Sequence, residues 1–197
     1  MRIEVLKGDA LAAALDDVAR LRIDVFRDWP YLYDGDLDYE RRYLQSYRYS
    51  DAAILIGAYD GDRLVGAATG TPMVDHADAF ASALTGSGLA LDDVFYCAES
   101  LLLPEYRGQG IGHRFFDLRE AHAIDWGASY SVFCSVTRPE DHPLRPEGYT
   151  PLDPFWRKRG YAPLDGAVAY FHWKDVDRDE ETEKALQVWI KPLRDAS

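Results

Sequence analysis

Cysteine is nearly absent from this sequence, with Cys97 and Cys134 the only two in 197 residues. No CxxC spacing joins them, and a chain this long can build a core without covalent staples. Two reduced thiols in a cytoplasmic protein are expected. Long apolar runs are missing as well. Nothing approaches the ~20 apolar residues that a bilayer-spanning helix needs, and Met1-Arg2-Ile3-Glu4-Val5-Leu6 does not read as a signal peptide. Positive charge is in deficit: 22 Lys+Arg against 34 Asp+Glu give a formal net charge of −12. Phosphate neutralisation needs a basic face, so nucleic acid is not expected as a partner, and an anionic membrane would repel the chain. His76, His113, His122, His142 and His172 form no HExxH and no Cys/His pairing, so no metal is expected. There is no Gly-x-Ser-x-Gly for a serine nucleophile.

What the chain does contain is apolar and aromatic: 47% hydrophobic, with 13 Tyr, 8 Phe and 5 Trp, enough to offset ordering entropy. Residues 2–6 alternate as a short strand. Asp9 is expected to cap a helix from about Ala10 to Phe26, whose Leu11, Leu15, Val18, Leu21 and Val25 recur at helical spacing. A polar, tyrosine-rich helix follows over about Leu37–Tyr47. Strands at Ala52–Tyr59 and Arg63–Thr71 flank Asp60-Gly61-Asp62 as a hairpin. Residues 75–93 read as an irregular insertion with one short helix, Ala77–Leu84. Val94–Leu103 reads as one long strand, Gly110–Trp126 as an amphipathic helix with Ile111, Phe115 and Leu118 on its stripe, and Tyr130–Val136 as a strand. A proline-rich loop leads to a short helix near Pro154–Arg159. Ala167–Trp173 and Ala185–Ile190 are strands around a solvated acidic loop, Asp175–Glu183. The order implies a mixed, twisted sheet with helices on both faces, one α/β (α+β) domain over residues 1–197.

Chemistry concentrates in Glu99-Ser-Leu-Leu-Leu-Pro-Glu-Tyr-Arg107-Gly-Gln-Gly-Ile-Gly112-His113, where a strand passes through a glycine-dense turn into a helix. Glycine admits positive φ and lets a ligand approach bare backbone. Unpartnered N–H groups at a helix start, reinforced by its dipole, make an anion cradle. No Gly-Lys-Ser/Thr follows, so this is not a Walker loop. His113 stands where a dinucleotide fingerprint needs its third glycine. The remaining pattern, Arg-x-x-Gly-x-Gly from Arg107 to Gly112 after Leu101-Leu102-Leu103-Pro104, resembles the acyl-CoA-binding motif of the GNAT superfamily of N-acyltransferases, over about residues 2–174.

That resemblance implies a single GNAT-like domain in which the strand at Val94–Leu103 splays from Tyr130–Val136. Main chain at Leu101, Leu102 and Leu103 would hold pantetheine, and Arg107, Gly108, Gln109, Gly110, Ile111, Gly112 and His113 the pyrophosphate of acetyl-CoA. The reaction implied is direct amine attack on the thioester in a ternary complex, with a main-chain N–H near Leu101 or Leu102 polarising its carbonyl. Glu99 is then expected as the catalytic general base, often acting through water in the family; the alternative is a buried carboxylate paired with an Arg or Tyr across the sheet. The family often places a tyrosine acid where this chain has Trp156, ahead of Gly160-Tyr161; Tyr149, Tyr161 or solvent could substitute, a CoA thiolate needs little acid help, and the acid is left unassigned. Tyr31, Tyr33, Asp34, His142 and Tyr149 are candidate contacts for a small cationic amine, with Asp36 a further acid in the same loop. A protein amine and a non-catalytic acyl-CoA sensor are the alternatives. Residues 185–193 would either pair with a second copy in a homodimer or close the sheet.

Overall fold

The computed structural model describes residues 1–76 and 80–194. An eight-stranded sheet organises them: β1 (Arg2–Leu6), β2 (Ile54–Asp60), β3 (Arg63–Pro72), β4 (Val94–Tyr96), β5 (Ser100–Leu102), β6 (Tyr130–Val136), β7 (Ala162–Lys174) and β8 (Glu181–Pro192). The order is β1-β2-β3-β4-β6-β8-β7, with β5 paired to β3. Among the described strand pairs only β4–β6 is parallel, and a crossover helix joins those strands, as a parallel pair requires. The expected hairpin is present, Asp60 opposite Arg63 around Gly61 at φ 59°.

Alternation along β2 divides the core. Ile54 and Ile56 face Phe115, Phe116 and Ala123 of α3 (Ile111–Trp126). Ala53 and Leu55 face Leu11, Leu15, Val18 and Leu21 of α1 (Gly8–Phe26) and Leu44 of α2 (Leu37–Tyr49). A short α4 (Asp153–Lys158) adds Phe155 and Trp156 to the α3 side. Helices therefore cover both faces, as the period-two pattern requires. No helix among the described residues is long and apolar enough to cross a membrane.

Several expectations are corrected. α1 starts at Gly8 with Lys7 as N-cap and no side-chain cap, so Asp9 does not serve. Of the helix expected over 77–84, residues 77–79 lie outside the described residues and Ala81–Leu84 is a single 3-10 turn. The last hairpin is longer than its apolar alternation, because polar positions continue the ladder from Lys174↔Glu181. Asp175 is buried rather than part of a solvated loop. β8 pairs with β6 on one side and β7 on the other, so residues 185–193 close the sheet.

The long strand expected at 94–103 is two strands. Thr71 faces Tyr96, but Ala68 faces Ser100, so β3 runs opposite one extra residue. Thr69 carries the mismatch: its carbonyl accepts from Ala98 N at 3.2 Å and its N–H donates to Glu99 O at 3.2 Å. Two residues against one is a β-bulge, which bends the strand. Before it, β4 pairs with β6, and Cys97 N reaches Val132 O at 2.8 Å. After it, β5 pairs with β3 while β6 continues along β8. The sheet splits at that point.

Candidate active site

The split strand runs into the glycine turn. Leu103 N donates to Val65 O at 3.0 Å, a 3-10 turn follows at Pro104–Tyr106, and Arg107 N closes it on Pro104 O at 3.1 Å. Gly108 and Gly110 adopt φ 76° and 80°, a region costly for residues bearing a Cβ. A Cβ at either would meet no protein atom within 4 Å, so this backbone lies open. The next engaged amide is Arg114, on Gly110 O at 3.2 Å. Among the described residues, the N–H groups of 108–113 have no acceptor, and α3 directs the positive end of its dipole at them. Arg107 and Arg114 are exposed beside them. Arg107 Nε donates to Leu102 O at 3.2 Å, so that carbonyl faces away from β3, into the split.

At the bulge, Glu99 is 2% exposed. Its carboxylate receives Arg22 Nη1, the Thr69 hydroxyl, Tyr47 Oη at 3.0 Å and the Tyr43 phenol. Arg22 also donates to Glu40, which is fully buried. Burial works against the Arg22 charge, yet Glu99, Tyr43 and Glu40 hold its pKa above the ordinary guanidinium value. Beneath the bulge, from α3, Arg119 Nη1 donates to Glu99 O at 2.7 Å and Thr69 O at 3.2 Å. Ser100, between buried Glu99 and Leu101, is exposed: the split opens there to solvent.

An aromatic loop stands over the α1–α2 side. Tyr31 stacks on Phe26 (4.1 Å between centroids) and Trp173 (6.0 Å). Trp29 meets His142 at 5.2 Å and Tyr149 at 5.9 Å. Burial raises the Tyr31 pKa, with Cys134, Arg22, Glu99 and Tyr149 within its electrostatic reach. The loop is pinned from below. Arg138 donates to Pro30 O at 2.8 Å and Tyr31 O at 2.6 Å, and its guanidinium forks onto Asp175 at 2.8 and 2.9 Å. Lys184 Nζ lies 3.4 Å from Asp175.

A sequence model of the acetyltransferase (GNAT) family matches residues 18–146, more than half of the chain. The chain belongs to the GNAT acetyltransferase family. It is therefore an enzyme, an acetyltransferase. No curated protein matches it by sequence. Among solved structures it resembles an aminoglycoside 6'-N-acetyltransferase complexed with coenzyme A, at 15% identity and TM-score 0.63, covering 100% of this chain and 99% of that one. It also resembles the aminoglycoside 6'-N-acetyltransferase from Enterococcus faecium, at 14% identity and TM-score 0.62, covering 100% and 99%. A third is the ribosomal-protein-alanine N-acetyltransferase from Brucella melitensis, at 13% identity and TM-score 0.61, covering 98% and 99%. At such identities the likeness is one of fold.

In this GNAT acetyltransferase the expected residues divide into groups. Leu101–Leu103 and 107–113 form one continuous edge and turn. Trp29, His142 and Tyr149 gather, with Tyr31 beside them. Tyr33 packs against the α1–α2 cluster, with Glu40 within its electrostatic reach. Asp34 is tied to Lys174 at 2.6 Å and Arg27 at 3.3 Å, and Asp36 caps α2 through Tyr39 N at 2.8 Å. Neither carboxylate is free for a cation. Trp156 packs on Phe133 (5.0 Å) and Trp189 (5.1 Å). Tyr161, named with Tyr149 as a substitute acid, is buried with its hydroxyl engaged by Ser131 at 2.7 Å and Glu120 at 3.2 Å. Sequence reasoning missed Arg22, Arg119, Arg138 and Asp175. The signal for the first two was a charge inside an apolar stripe: Arg22 continues Leu11-Leu15-Val18, and Arg119 continues Ile111-Phe115.

Proposed function

We propose that the chain moves the acetyl group of acetyl-CoA onto a small cationic amine by direct attack in a ternary complex. One observation carries this reading: among the described residues, the six consecutive N–H groups of 108–113 have no backbone acceptor, at the foot of a strand, β5, that pairs only with β3. The cradle fits a diphosphate, because its donors are uncharged backbone on glycines that leave the approach open. Main chain at Leu101–Leu103 would align the pantetheine arm along β5, and Arg107, exchanging Leu102 O for a phosphate, would close over it. Bound there, acetyl-CoA supplies an activated carbonyl and a thiolate leaving group of pKa near that of cysteine, about 8.5. Such a leaving group needs no tyrosine acid, which fits Trp156 in the hydrophobic core.

For Glu99 the geometry favours the alternative over the expected role of general base. A carboxylate receiving a guanidinium, two phenols and a hydroxyl is a weak base, because all four donors prefer its charged form. We infer that Glu99 fixes the bulge and that the amine loses its proton to solvent before attack. Trp29, Tyr31, His142 and Tyr149 would enclose the acceptor, aromatic faces suiting a cationic group. The net charge of −12 would draw such amines inward. The neighbours that modify aminoglycosides support a small acceptor. A protein amine remains the second reading, supported by the neighbour that modifies a ribosomal protein. We place the enzyme in the cytoplasm, where its two free thiols stay reduced.

The test is an amine panel, including polyamines, amino sugars and lysine peptides, scored by release of free CoA. Turnover with small polycations supports the proposal. Turnover with peptides alone would shift it to a protein acceptor, and none with any amine would overturn it.

A further inference from the structure

Arg119 sits at an aliphatic position of α3, is 0% exposed, and is the largest fully buried side chain among the described residues. Among those residues it has no ion-pair partner. Its guanidinium donates to two main-chain carbonyls, Glu99 O at 2.7 Å and Thr69 O at 3.2 Å, and to Ser100 Oγ at 2.8 Å. Its Cζ lies 4.8 Å from the centroid of the Phe116 ring, and among the described residues its Nε has no partner. Two carbonyls and a hydroxyl could be satisfied by a neutral amide. A buried, unpaired charge is costly, and its effect falls on the peptide it touches.

We propose that Arg119 is a positioning residue for acyl transfer, polarising the Glu99–Ser100 peptide so that the Ser100 N–H receives the thioester oxygen. The proposal rests on the acetyl-CoA reading above. The Glu99 carbonyl and the Ser100 N–H belong to one peptide unit, so a full positive charge on the oxygen strengthens the N–H as a donor. Hydrogen bonds on either side fix its direction. Thr69 N to Glu99 O and Leu103 N to Val65 O occupy the closely spaced positions of the β3–β5 ladder. Ser100, opposite Ala68, therefore occupies an outward-facing position, and its N–H turns from β3 into the split. The exposure of Ser100 between two buried neighbours marks that side as open. The Glu99 carboxylate would oppose an oxyanion forming nearby, and Arg119 offsets that field as Arg22 does from the other face.

In the step served, the amine nitrogen bonds to the carbonyl carbon and the C=O pair moves onto oxygen, where the Ser100 N–H holds it. The pair returns as the C–S bond breaks, sulfur leaves as thiolate, and the extra proton on nitrogen passes to solvent. A merely structural Arg119 would leave the bound carbonyl unaffected. The infrared stretch of acetyl-CoA labelled with ¹³C at the thioester carbonyl reads this directly, compared free, bound to the wild-type enzyme, and bound to Arg119→Gln and Arg119→Lys.

We expect a downshift on binding that shrinks in Arg119→Gln and is partly kept in Arg119→Lys. In Arg119→Gln, kcat should fall on the order of tenfold, while KM for acetyl-CoA stays within about twofold. An unaltered stretch and kcat in folded Arg119→Gln overturn the proposal while leaving the cofactor reading intact. Failure of the wild type to bind acetyl-CoA overturns both. Should Arg119→Gln not fold, ¹⁵N-serine labelling of the wild type decides. The Ser100 amide proton must move downfield with acetyl-CoA and not with CoA, and equal responses to the two overturn the proposal.

Discussion

Glu99 and Arg22 meet across 77 residues of sequence, and each explains the burial of the other. If Glu99 is the partner of Arg22 and not the base, Glu99→Gln lowers stability, because a buried guanidinium loses one of its two counter-charges and keeps only Glu40. The folded variant should keep the wild-type pH–rate shape. In both proteins kcat/KM should rise with pH toward the ammonium pKa of the acceptor, near 10 for a lysine-like amine, since only the free base attacks. An additional limb below neutral pH, present in the wild type and absent from Glu99→Gln, would restore Glu99 as the base. His122 offers a second titration. Burial lowers its pKa below 6.5, with Nε2 2.8 Å from Ala52 O and Lys7 Nζ 3.1 Å from Nδ1. A folded pKa below the unfolded one means that its contribution is complete above about 6.5 and lost as pH falls through the folded value. Urea melts from pH 8 to 5 should show this decline, and His122→Gln should flatten it. At this scale the sequence was readable where chemistry was local, as in the glycines. It was silent where partners lie far apart, as in Arg22–Glu40–Glu99, although a charge in an apolar stripe marked the place.

Among elements, the glycine turn and α3 were legible because backbone conformation depends on the residues themselves: only glycine sits easily at φ 76° and 80°. The bulge was not. Val94–Leu103 is apolar almost throughout, and such a run cannot reveal that Ala98 and Glu99 share one partner on β3. The aromatic loop was legible as a candidate pocket, but its anchor was not, because Asp175 reads as part of an acidic run. Arg138→Ala tests that anchor. Both Arg138 and Asp175 are largely buried, so Arg138→Ala strips Asp175 of two charge-assisted hydrogen bonds and leaves it Lys184 alone, at about 1.5–3 kcal/mol. Denaturant titration should show that loss. In the folded fraction, KM for the amine should rise while affinity for acetyl-CoA holds. Equal losses for both substrates would mean that the 29–33 loop does not serve the acceptor site.

For the molecule as a whole, the order of strands and helices in the sequence sufficed to place a mixed sheet between two helical layers. The same order could not show that β8 lies inside the sheet, since alternation does not distinguish an edge from a middle position. The charge of −12 makes a prediction at this scale. If a cationic acceptor is steered inward, kcat/KM should fall as NaCl rises from 0.02 to 0.5 M, with kcat little changed. A neutral or peptide acceptor held by contacts alone would show no such slope. The central claim is that bare backbone at 108–113 grips the diphosphate of acetyl-CoA, and calorimetric titration of acetyl-CoA into the wild type and Gly110→Val tests it most directly. The wild type should bind with measurable heat. The variant should fold with its stability reduced by about 1–2 kcal/mol, from a side chain at φ 80°, and bind at least about tenfold more weakly. No heat with the wild type, or equal affinity in the two proteins, would contradict it.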